Sequence, residues 1–354
     1  MSGVFVHGLG AVSPAGWGVK VFFDAVKENQ PMPLKELKRP GWSDPLMVRH
    51  VPAPSPRPAF MTHPRLRRAS PITHYAVAAA LEALGEDAKK VAEGSLRLGI
   101  VFCVMTGCVN YSRRFYDEAL RDPATASPLV FPETVFNAPS SHLAAVLGTI
   151  EINYTLVGDP GTFVQGLALA ADWLLNEQVD GCLVVGAEEI EWLAVDAYRL
   201  TAPRIVLGDG AGAIYMKPEE PKSPIIELQN VTDAHLFSCQ RSRIEAAEKV
   251  RAQLSSASVA DLLCDGLQGI SKLDAPEKQA WTNWTACRLS VKKILGEGLM
   301  AAAAWQCVLA GESLRLGIND LANVSVVGCN EQAIGAQFLR CERSAGILPA
   351  SSDE

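Results

Sequence analysis

Ser141 and His142 are adjacent residues of the types that could form a nucleophile and its base. Neighbours one position apart on a helix do not face each other, so we do not expect them to act as a dyad. The sequence contains no GxSxG elbow and no GKS or GKT phosphate loop. His63 with His74, and Cys103 with Cys108, lack the paired spacing of a zinc site. The short motifs therefore predict neither a bound metal nor a cofactor.

The segment Gly8-Leu9-Gly10-Ala11-Val12-Ser13-Pro14-Ala15-Gly16 follows a short apolar strand and precedes another apolar stretch. A strand, a glycine turn and a helix suggest a dinucleotide-binding loop. However, Ser13 stands where the third glycine of GxGxxG belongs, and Pro14 follows it. Dinucleotide binding is therefore disfavoured.

Asp159 and Pro160 together are typical of a helix start. Aspartate caps exposed N–H groups, and proline is tolerated in the first helical turn, where no hydrogen bond is lost. The alternative is that Asp159 is a nucleophile or base. A structural role is the favoured interpretation, because a capping carboxylate is already occupied by N–H donors.

The bulk composition is that of a soluble globular protein, with 354 residues, 48% apolar and 20% charged. No run approaches the roughly 20 apolar residues of a membrane span, and the start MSGVFVHGLG does not have the pattern of a secretory signal. The nine cysteines are odd in number and mostly lie in apolar stretches, as in a reducing compartment. We therefore expect a cytoplasmic protein. The net charge of −7 argues against nucleic-acid binding.

Strands and helices alternate along the chain, which predicts a layered α/β architecture. The predicted strands are 4–7, 98–105, 152–157, 182–187, 211–216, 225–231, 261–264 and 324–327. The predicted helices are 73–84, 140–147 (capped by Ser140 or Ser141), 162–175, 243–254 and 299–309. Residues 38–71 are rich in proline and arginine and are predicted to be a long surface excursion.

The linker Pro218-Glu219-Glu220-Pro221-Lys222-Ser223-Pro224 marks the expected midpoint. We predict an N-terminal half at 1–217, a shortened C-terminal half at 218–340 and a tail at 341–354.

Several phrases together resemble the β-ketoacyl-acyl carrier protein synthases (ketosynthases) of the thiolase superfamily. They are Gly8 to Gly16, Leu98-Gly99-Ile100, the phrase FPETVFNAP at 131–139, Gly186-Ala187-Glu188-Glu189, Gly208-Asp209-Gly210-Ala211-Gly212-Ala213 and Thr232-Asp233-Ala234. The resemblance implies a five-layered αβαβα fold of two similar halves, with the active site at their junction and a dimer as the working unit. The phrase at 131–139 is similar to the segment that leads into the family's dimer interface.

The resemblance also implies a nucleophilic cysteine at a helix N-terminus, where the helix dipole favours the thiolate. Asn153-Tyr154-Thr155 upstream and Gln165 downstream place Pro160 at that position. No cysteine lies between residues 108 and 182. The implied nucleophile is therefore missing.

Two histidines that stabilise the developing oxyanions should come from the second half, yet all six histidines precede residue 236. By resemblance, Asp265 and Glu297 occupy the histidine positions, and only Lys292 matches. Carboxylates would repel the anion that histidine stabilises. They could instead form a general acid/base pair, but the favoured interpretation is that they are solvated or paired with Lys292 or Lys293. The glycine-rich turn at Val327-Gly328-Cys329-Asn330-Glu331 is also incomplete, which puts gating of the acyl pocket in doubt.

These patterns predict a subunit of fatty acid or polyketide synthesis that is inactive alone. It would be a pseudoenzyme of the chain-length-factor type, pairing with an active ketosynthase. One alternative is a diverged enzyme acting on acyl thioesters, as a hydrolase or decarboxylase, through Asp159, Asp265 or Glu297. Another is an acyl-binding homodimer without turnover. Arg65, Arg67 and Arg68, with Arg113 and Arg114, could dock an acidic acyl carrier protein, although scattered arginines are usually a solvated surface.

Overall fold

The computed structural model describes residues 3–148, 150–254 and 258–341. The strands are β1 Phe5–Ser13, β2 Gly16–Trp17, β3 Lys35–Leu37, β4 Leu46–Val48, β5 Leu98–Val104, β6 Ile152–Val157, β7 Gly181–Glu188, β8 Gly210–Lys217, β9 Ile225–Val231, β10 His235–Leu236, β11 Leu262–Asp265, β12 Cys287–Ser290, β13 Leu321–Val327 and β14 Gln332–Cys341. The helices are α1 Val19–Glu28, α2 Pro71–Leu84, α3 Asp87–Ala92, α4 Val109–Arg121, α5 Ala138–Leu147, α6 Thr162–Leu175, α7 Trp192–Thr201, α8 Gln240–Gln253, α9 Ser271–Ala280, α10 Val291–Leu295 and α11 Met300–Arg315. Short 3-10 turns occur at Ala59–Thr62, Pro64–Leu66 and Phe131–Glu133.

The same strand order occurs twice in the sheet. In the first part the order is β1-β8-β7-β5-β6, and in the second part it is β9-β14-β13-β11-β12. In each part, the first two strands of this order pair antiparallel, and the fourth strand, β5 or β11, runs parallel to both of its neighbours. The two parts meet where Phe5 of β1 pairs with Glu227 of β9. Two similar halves, as the sequence predicts, are therefore visible in the topology.

Helices α6 and α11 form the middle layer between the two five-stranded parts, since both contact strands of each part. Helices α2 and α5 cover the outer face of the first part, and α8 and α9 cover that of the second. The resulting order of layers is αβαβα. Because α11 has a sheet on each side, its side chains from Met300 to Leu314 are all buried.

Glycines on the strands let α11 approach the first part closely. A Cβ atom added at Gly212 would lie 2.7 Å from the Cβ of Ala304, and one added at Gly186 would lie 2.9 Å from it. The neighbouring Trp305 donates its indole N–H to the carbonyls of Val12 and Ala211, each at 3.1 Å. Small residues at this contact therefore fix the distance between α11 and the sheet.

Two local predictions need correction. Helix α5 begins at Ala138 after Asn137, and neither Ser140 nor Ser141 caps it; the Ser140 hydroxyl instead contacts the Asn153 side chain. Residues 38–71 are not only a surface excursion, because Leu46 and Val48 of β4 are completely buried in a small core. The sequence did not predict that strand, because it is only three residues long and lies in a segment rich in proline and arginine.

The end of the chain also differs from expectation. Strand β14 lies between β9 and β13 in the second part of the sheet, and it includes Cys341, which the sequence predicts to be in the tail. The remainder of that tail, 342–354, lies outside the described residues. Residues 218–224 connect β8 to β9, and the domain bounds drawn there stay a prediction. Within the described ranges, no helix combines the length and apolarity that crossing a membrane requires.

The close contact at Ala304 leads to a stability prediction. We expect Gly212→Ala to lower the free energy of unfolding by about 1–3 kcal/mol, because the added methyl group overpacks the contact. Adding Ala304→Gly should offset part of that loss, even though glycine in a helix itself costs about 1 kcal/mol. Urea unfolding of the two single variants and the double variant measures this coupling. Strictly additive effects would contradict the packing argument.

Candidate functional site

A cavity of about 390 Å³ lies where turns after several strands converge. Residues from the first half and the second half both line it: Met105, Ala197, Tyr198, Thr201, Ala202, Ile205, Gln240, Arg243, Gln268, Lys272, Leu273, Lys292, Glu297, Val327, Gly328, Cys329 and Asn330. Ligand sites in α/β sheets commonly lie beyond the carboxyl ends of strands. This cavity is therefore the candidate site.

Asp159 lies in the turn between β6 and α6 and joins it to the turn between β13 and β14. Its Oδ1 accepts the N–H of Gly161 at 3.1 Å, and its Oδ2 accepts the N–H groups of Asn330 and Glu331, each at 3.1 Å. A Cβ atom at Gly328 would lie 1.7 Å from Oδ1 of Asp159, so only glycine fits there. The carboxylate is occupied by N–H donors, and two of the three come from the distant turn.

Pro160 is buried and stands just before α6, which begins at Thr162. It provides no nucleophile, and it is not among the residues that line the cavity. Its role is consistent with a structural helix start.

Glu297 and Lys292 form a buried ion pair in the cavity wall. The Nζ of Lys292 lies 2.7 Å from Oε2 of Glu297, and the two side chains are 3% and 1% exposed. Oε2 also accepts a hydrogen bond from Gln268 at 2.7 Å, and Oε1 accepts the N–H of Leu299 at 2.9 Å. Burial is the largest influence and opposes the charge on Lys292, whereas the attraction of Glu297 and its hydrogen bond favour that charge; the net effect of all nearby groups is a raised pKa of Lys292. Both carboxylate oxygens of Glu297 therefore accept hydrogen bonds, which fixes the position of the ion pair.

Asp265 has partners of its own. It is fully buried, its Oδ1 accepts bonds from the Ser290 hydroxyl at 2.5 Å and the Leu267 N–H at 3.0 Å, and its Oδ2 contacts Nε of Arg288. The predicted pairing of Asp265 with Lys292 or Lys293 is therefore wrong, since Arg288 on the neighbouring strand is its cation. The structure does not bring Asp265 and Glu297 together as an acid/base pair in the cavity, because Asp265 does not line it.

Glu277 is a buried carboxyl group that the sequence did not single out. Its Oε2 accepts the N–H of Gly266 at 3.0 Å. Desolvation, reinforced by the negative charge of Asp265, raises its pKa to about 8. It therefore keeps its proton at neutral pH and adds no third negative charge beside Asp265 and Glu297.

The thiol of Cys329 lies in the cavity wall but is not activated. Burial and the nearby charge of Glu297 raise its pKa, so it stays protonated at neutral pH. His142 is engaged elsewhere: its Nε2 lies 2.8 Å from Oε2 of Glu133, and Ser141 is exposed. Histidine is missing from the residues that line the cavity. The cavity can hold a ligand, but none of its lining residues is an activated nucleophile.

Arg243, Gln268 and Tyr198 line the cavity, and reasoning from sequence did not single them out as site residues. Each lies in a helix or turn without a recognisable motif. The only available signal for Arg243 is a charged residue at a position where α8 is otherwise alanine and valine, because that face packs on the second part of the sheet. The described residues contain no group of three or more side chains that could hold a metal ion together.

Comparison with known proteins agrees with this architecture. The family model described as 3-oxoacyl-[acyl-carrier-protein (ACP)] synthase III matches residues 160–234. The structure of the ishigamide ketosynthase/chain length factor superposes with a TM-score of 0.77 at 18% identity, covering 96% of this chain and 100% of that chain. The chain has the thiolase-like fold of the ketosynthases.

Two further solved structures are similar to this ketosynthase-like chain. A β-ketoacyl synthase from Burkholderia phymatum STM815 has a TM-score of 0.75 at 15% identity, covering 97% of this chain and 100% of that one. The ketosynthase ApeO in complex with its chain length factor ApeC from Xenorhabdus doucetiae gives 0.73 at 15% identity, with 96% and 98% covered. No curated protein matches the sequence. The resemblance read from the sequence phrases is confirmed, and the likeness establishes the fold.

The buried ion pair gives a second stability prediction. We expect Glu297→Gln to cost about 3–5 kcal/mol, because it leaves the buried Lys292 without a counter-charge. The double variant Glu297→Gln with Lys292→Met should recover much of that loss. Urea unfolding compares them, with Lys293→Met as the control, since Lys293 is exposed and its loss should change stability by less than about 0.5 kcal/mol. A double variant no more stable than Glu297→Gln would contradict the pairing.

Glu277 predicts a pH dependence of stability. In the unfolded chain its carboxyl group has the usual pKa of 4.5, whereas in the folded protein it is raised to about 8. Between these values the folded state holds a proton that the unfolded state has lost, so this group lowers the free energy of unfolding as pH rises. Glu277→Gln, which imitates the protonated form, should flatten that slope. Denaturant unfolding between about pH 5 and about pH 8 measures it, and the exposed Glu93→Gln should retain the wild-type slope.

Proposed function

We propose that the chain is a non-condensing, ketosynthase-like subunit of the chain-length-factor type, which pairs with an active ketosynthase in fatty acid or polyketide synthesis. The observation that carries this proposal is the state of the three family positions. Pro160 stands in place of the nucleophile, Asp265 is bound to Arg288, and Glu297 is bound to Lys292. Each of these three residues has a structural role, and none is available for the condensation reaction. This supports a chain that keeps the fold without the condensing chemistry.

Exposed apolar side chains of the first half support the pairing. They lie on α4, on the segment that follows it and on β6, and we call them together the α4–β6 face: Tyr116, Leu120, Phe131, Phe136, Tyr154 and Val157. It includes part of the segment 131–139 that resembles the family's interface phrase. Exposed apolar residues of this size are typical of protein–protein interfaces.

The edge position of β6 adds to this support. Within the described sheet, β6 pairs with β5 on one side and has no strand on the other. Its side chains Tyr154 and Val157 are 54% and 51% exposed. A second subunit could therefore add a strand here and cover the apolar side chains at the same time.

Carrier docking is the second part of the proposal. Arg65, Arg67 and Arg68 are exposed around the buried Leu66, and no carboxylate of the described ranges forms an ion pair with them. By contrast, Arg113 pairs with Asp117 and Glu191, and Arg114 pairs with Glu118. The first three arginines are therefore the proposed contact for an acidic acyl carrier protein, which would bind them in a salt-dependent manner.

The decisive experiment mixes the purified chain with malonyl-carrier and acyl-carrier thioesters, alone and then with a ketosynthase encoded beside it. Mass spectrometry should detect neither self-acylation nor condensation by the chain alone, and altered product length only in the mixture. Self-acylation or turnover by the chain alone, lost in a Glu297→Ala variant that denaturant unfolding shows to be still folded, would favour a diverged enzyme instead. Bound acyl ligand with no complex and no change of product would favour an acyl-binding homodimer.

The α4–β6 face provides a sharper test of pairing. We expect Tyr154→Asp or Phe131→Asp to weaken the complex by at least about 10-fold, because a carboxylate would be buried at the contact. Leu236→Asp is the matched control, since Leu236 is 74% exposed in the second half and lies outside this face. Pull-down and sedimentation of the mixture provide the measurement. Equal loss in all three variants would argue against this face as the interface.

A further inference from the structure

A tryptophan and two leucines of the first half project into solvent. Trp42 is 63% exposed, Leu193 is 54% exposed and Leu200 is 85% exposed. Trp42 lies in the segment between β3 and β4, and both leucines lie on α7. We call these three residues the α7 face. Large apolar side chains that are exposed together mark a surface that contacts another body.

An ion pair brings the three side chains together. Leu193, Asp196 and Leu200 are three and four residues apart on α7, so they share one side of the helix. Nη1 of Arg39 lies 2.7 Å from Oδ1 of Asp196, and the guanidinium of Arg39 lies 4.0 Å from the centre of the Trp42 ring. Trp42 is therefore held beside the two leucines through Arg39.

Packed elements support the α7 face. Strands β3 and β4 pair antiparallel, and Leu46 and Val48 of β4 share a small core with Val195 of α7. A groove of about 340 Å³ is lined by Pro45 from the first of these segments and by Leu200 from the helix. The exposed side chains are thus fixed by contacts between two segments that are distant in the sequence.

Cations surround the α7 face. The segments that form it, 35–48 and 192–204, contain three acidic side chains and five cationic ones: Lys35, Lys38, Arg39, Arg199 and Arg204. In the part of the chain that the structure describes, Arg39 is the one member of this set that forms an ion pair. The two segments together carry a charge of +2, although the whole chain carries −7. This positive excess is complementary to an anionic surface.

An anionic lipid surface matches both features. Tryptophan, with an apolar ring and a polar N–H, is enriched where a membrane meets water, and leucine side chains enter the boundary between headgroups and acyl chains. Nearby lysines and arginines are attracted by anionic headgroups. A protein partner would need carboxylates placed opposite each unpaired cation, whereas a lipid surface presents negative charge at every position.

We propose that the α7 face docks on an anionic lipid surface. Trp42, Leu193 and Leu200 lie at the level of the headgroups, and the unpaired cations of the two segments face the phosphates. Helix α7 also lines the candidate cavity through Ala197 and Thr201. Docking therefore brings this cavity close to the membrane. The proposal goes beyond the partner role proposed above and does not depend on it.

Vesicle binding tests the proposal with the full chain. Sedimentation compares vesicles of phosphatidylcholine alone with vesicles of phosphatidylcholine mixed with phosphatidylglycerol. The chain should bind the anionic vesicles at least about 10-fold more tightly than the neutral ones, and high salt should remove most of that difference. No binding to anionic vesicles, or equal binding to both kinds, would overturn the proposal.

Two apolar variants assign the binding to the α7 face. Trp42→Ala and Leu200→Ser should each weaken binding to anionic vesicles by at least about 5-fold, because each removes an apolar side chain from the lipid boundary. Leu236→Ser is the matched control, since Leu236 is also highly exposed but lies in the second half. Thermal unfolding verifies the fold of each variant. Wild-type binding in both Trp42→Ala and Leu200→Ser would contradict the assignment.

A second pair of variants tests the charge. Arg204→Gln should weaken binding to anionic vesicles by about 3-fold or more, because one cation near the headgroups is lost. The control is Lys222→Gln, which removes an exposed cation from the segment between β8 and β9. Equal weakening by the two variants would show attraction to net charge alone and would overturn docking through this face.

Pull-down with the ketosynthase separates lipid docking from a protein contact. Weakening of that complex by Trp42→Ala or Leu200→Ser, in a chain that does not bind vesicles, would identify the α7 face as a protein interface and overturn the lipid proposal. Vesicle binding that depends on the α7 face, in a chain that forms no complex, would support lipid docking and contradict only the partner role.

Discussion

The burial of α11 between two sheets is the constraint on which the rest of the molecule depends. A helix that is covered on both sides must be apolar along its length and must approach each sheet at a fixed distance. Ala304 against Gly212 and Gly186 sets that distance on one side. The segment that enters α11 is fixed in turn: Leu299 has a left-handed backbone, with φ of 50°, and donates its N–H to Glu297. The packing of one helix therefore positions the ion pair that lines the cavity.

Charge balance explains how several acidic residues can be buried close together in the second half. Three carboxyl groups, Asp265, Glu277 and Glu297, lie near the end of the second part of the sheet. Arg288 neutralises the first, Lys292 neutralises the third, and the raised pKa of Glu277 leaves it protonated. Each buried charge thus has a partner, as burial requires. These contacts are structural, whereas among the described residues no carboxylate forms an ion pair with the buried Arg243.

Most of the fold could be predicted from the sequence, because apolar runs coincide with buried strands and helices, and glycine-containing turns coincide with their ends. Strand β9 and helix α6 have the predicted bounds, since each is a clear apolar run between turn residues. Strand β14 was missed because glutamines at 332 and 337 interrupt its apolar pattern, and both are buried in polar contacts. The positions of Pro160, Asp265 and Glu297 were available from the motifs, but their partners were not. Arg288 lies 23 residues from Asp265 and Asn330 lies 171 residues from Asp159, so those contacts exist only after folding.

The open edge of β6 has a consequence for how the protein is produced in the cell. An edge strand with free N–H and C=O groups and exposed aromatic side chains can pair with any extended chain, including another copy of itself. A chain that meets no second subunit would present this edge throughout its lifetime. Under the proposed pairing, synthesis of both chains in matched amounts would cover the edge as soon as they fold. The proposal therefore implies coordinated expression of this chain and its proposed partner.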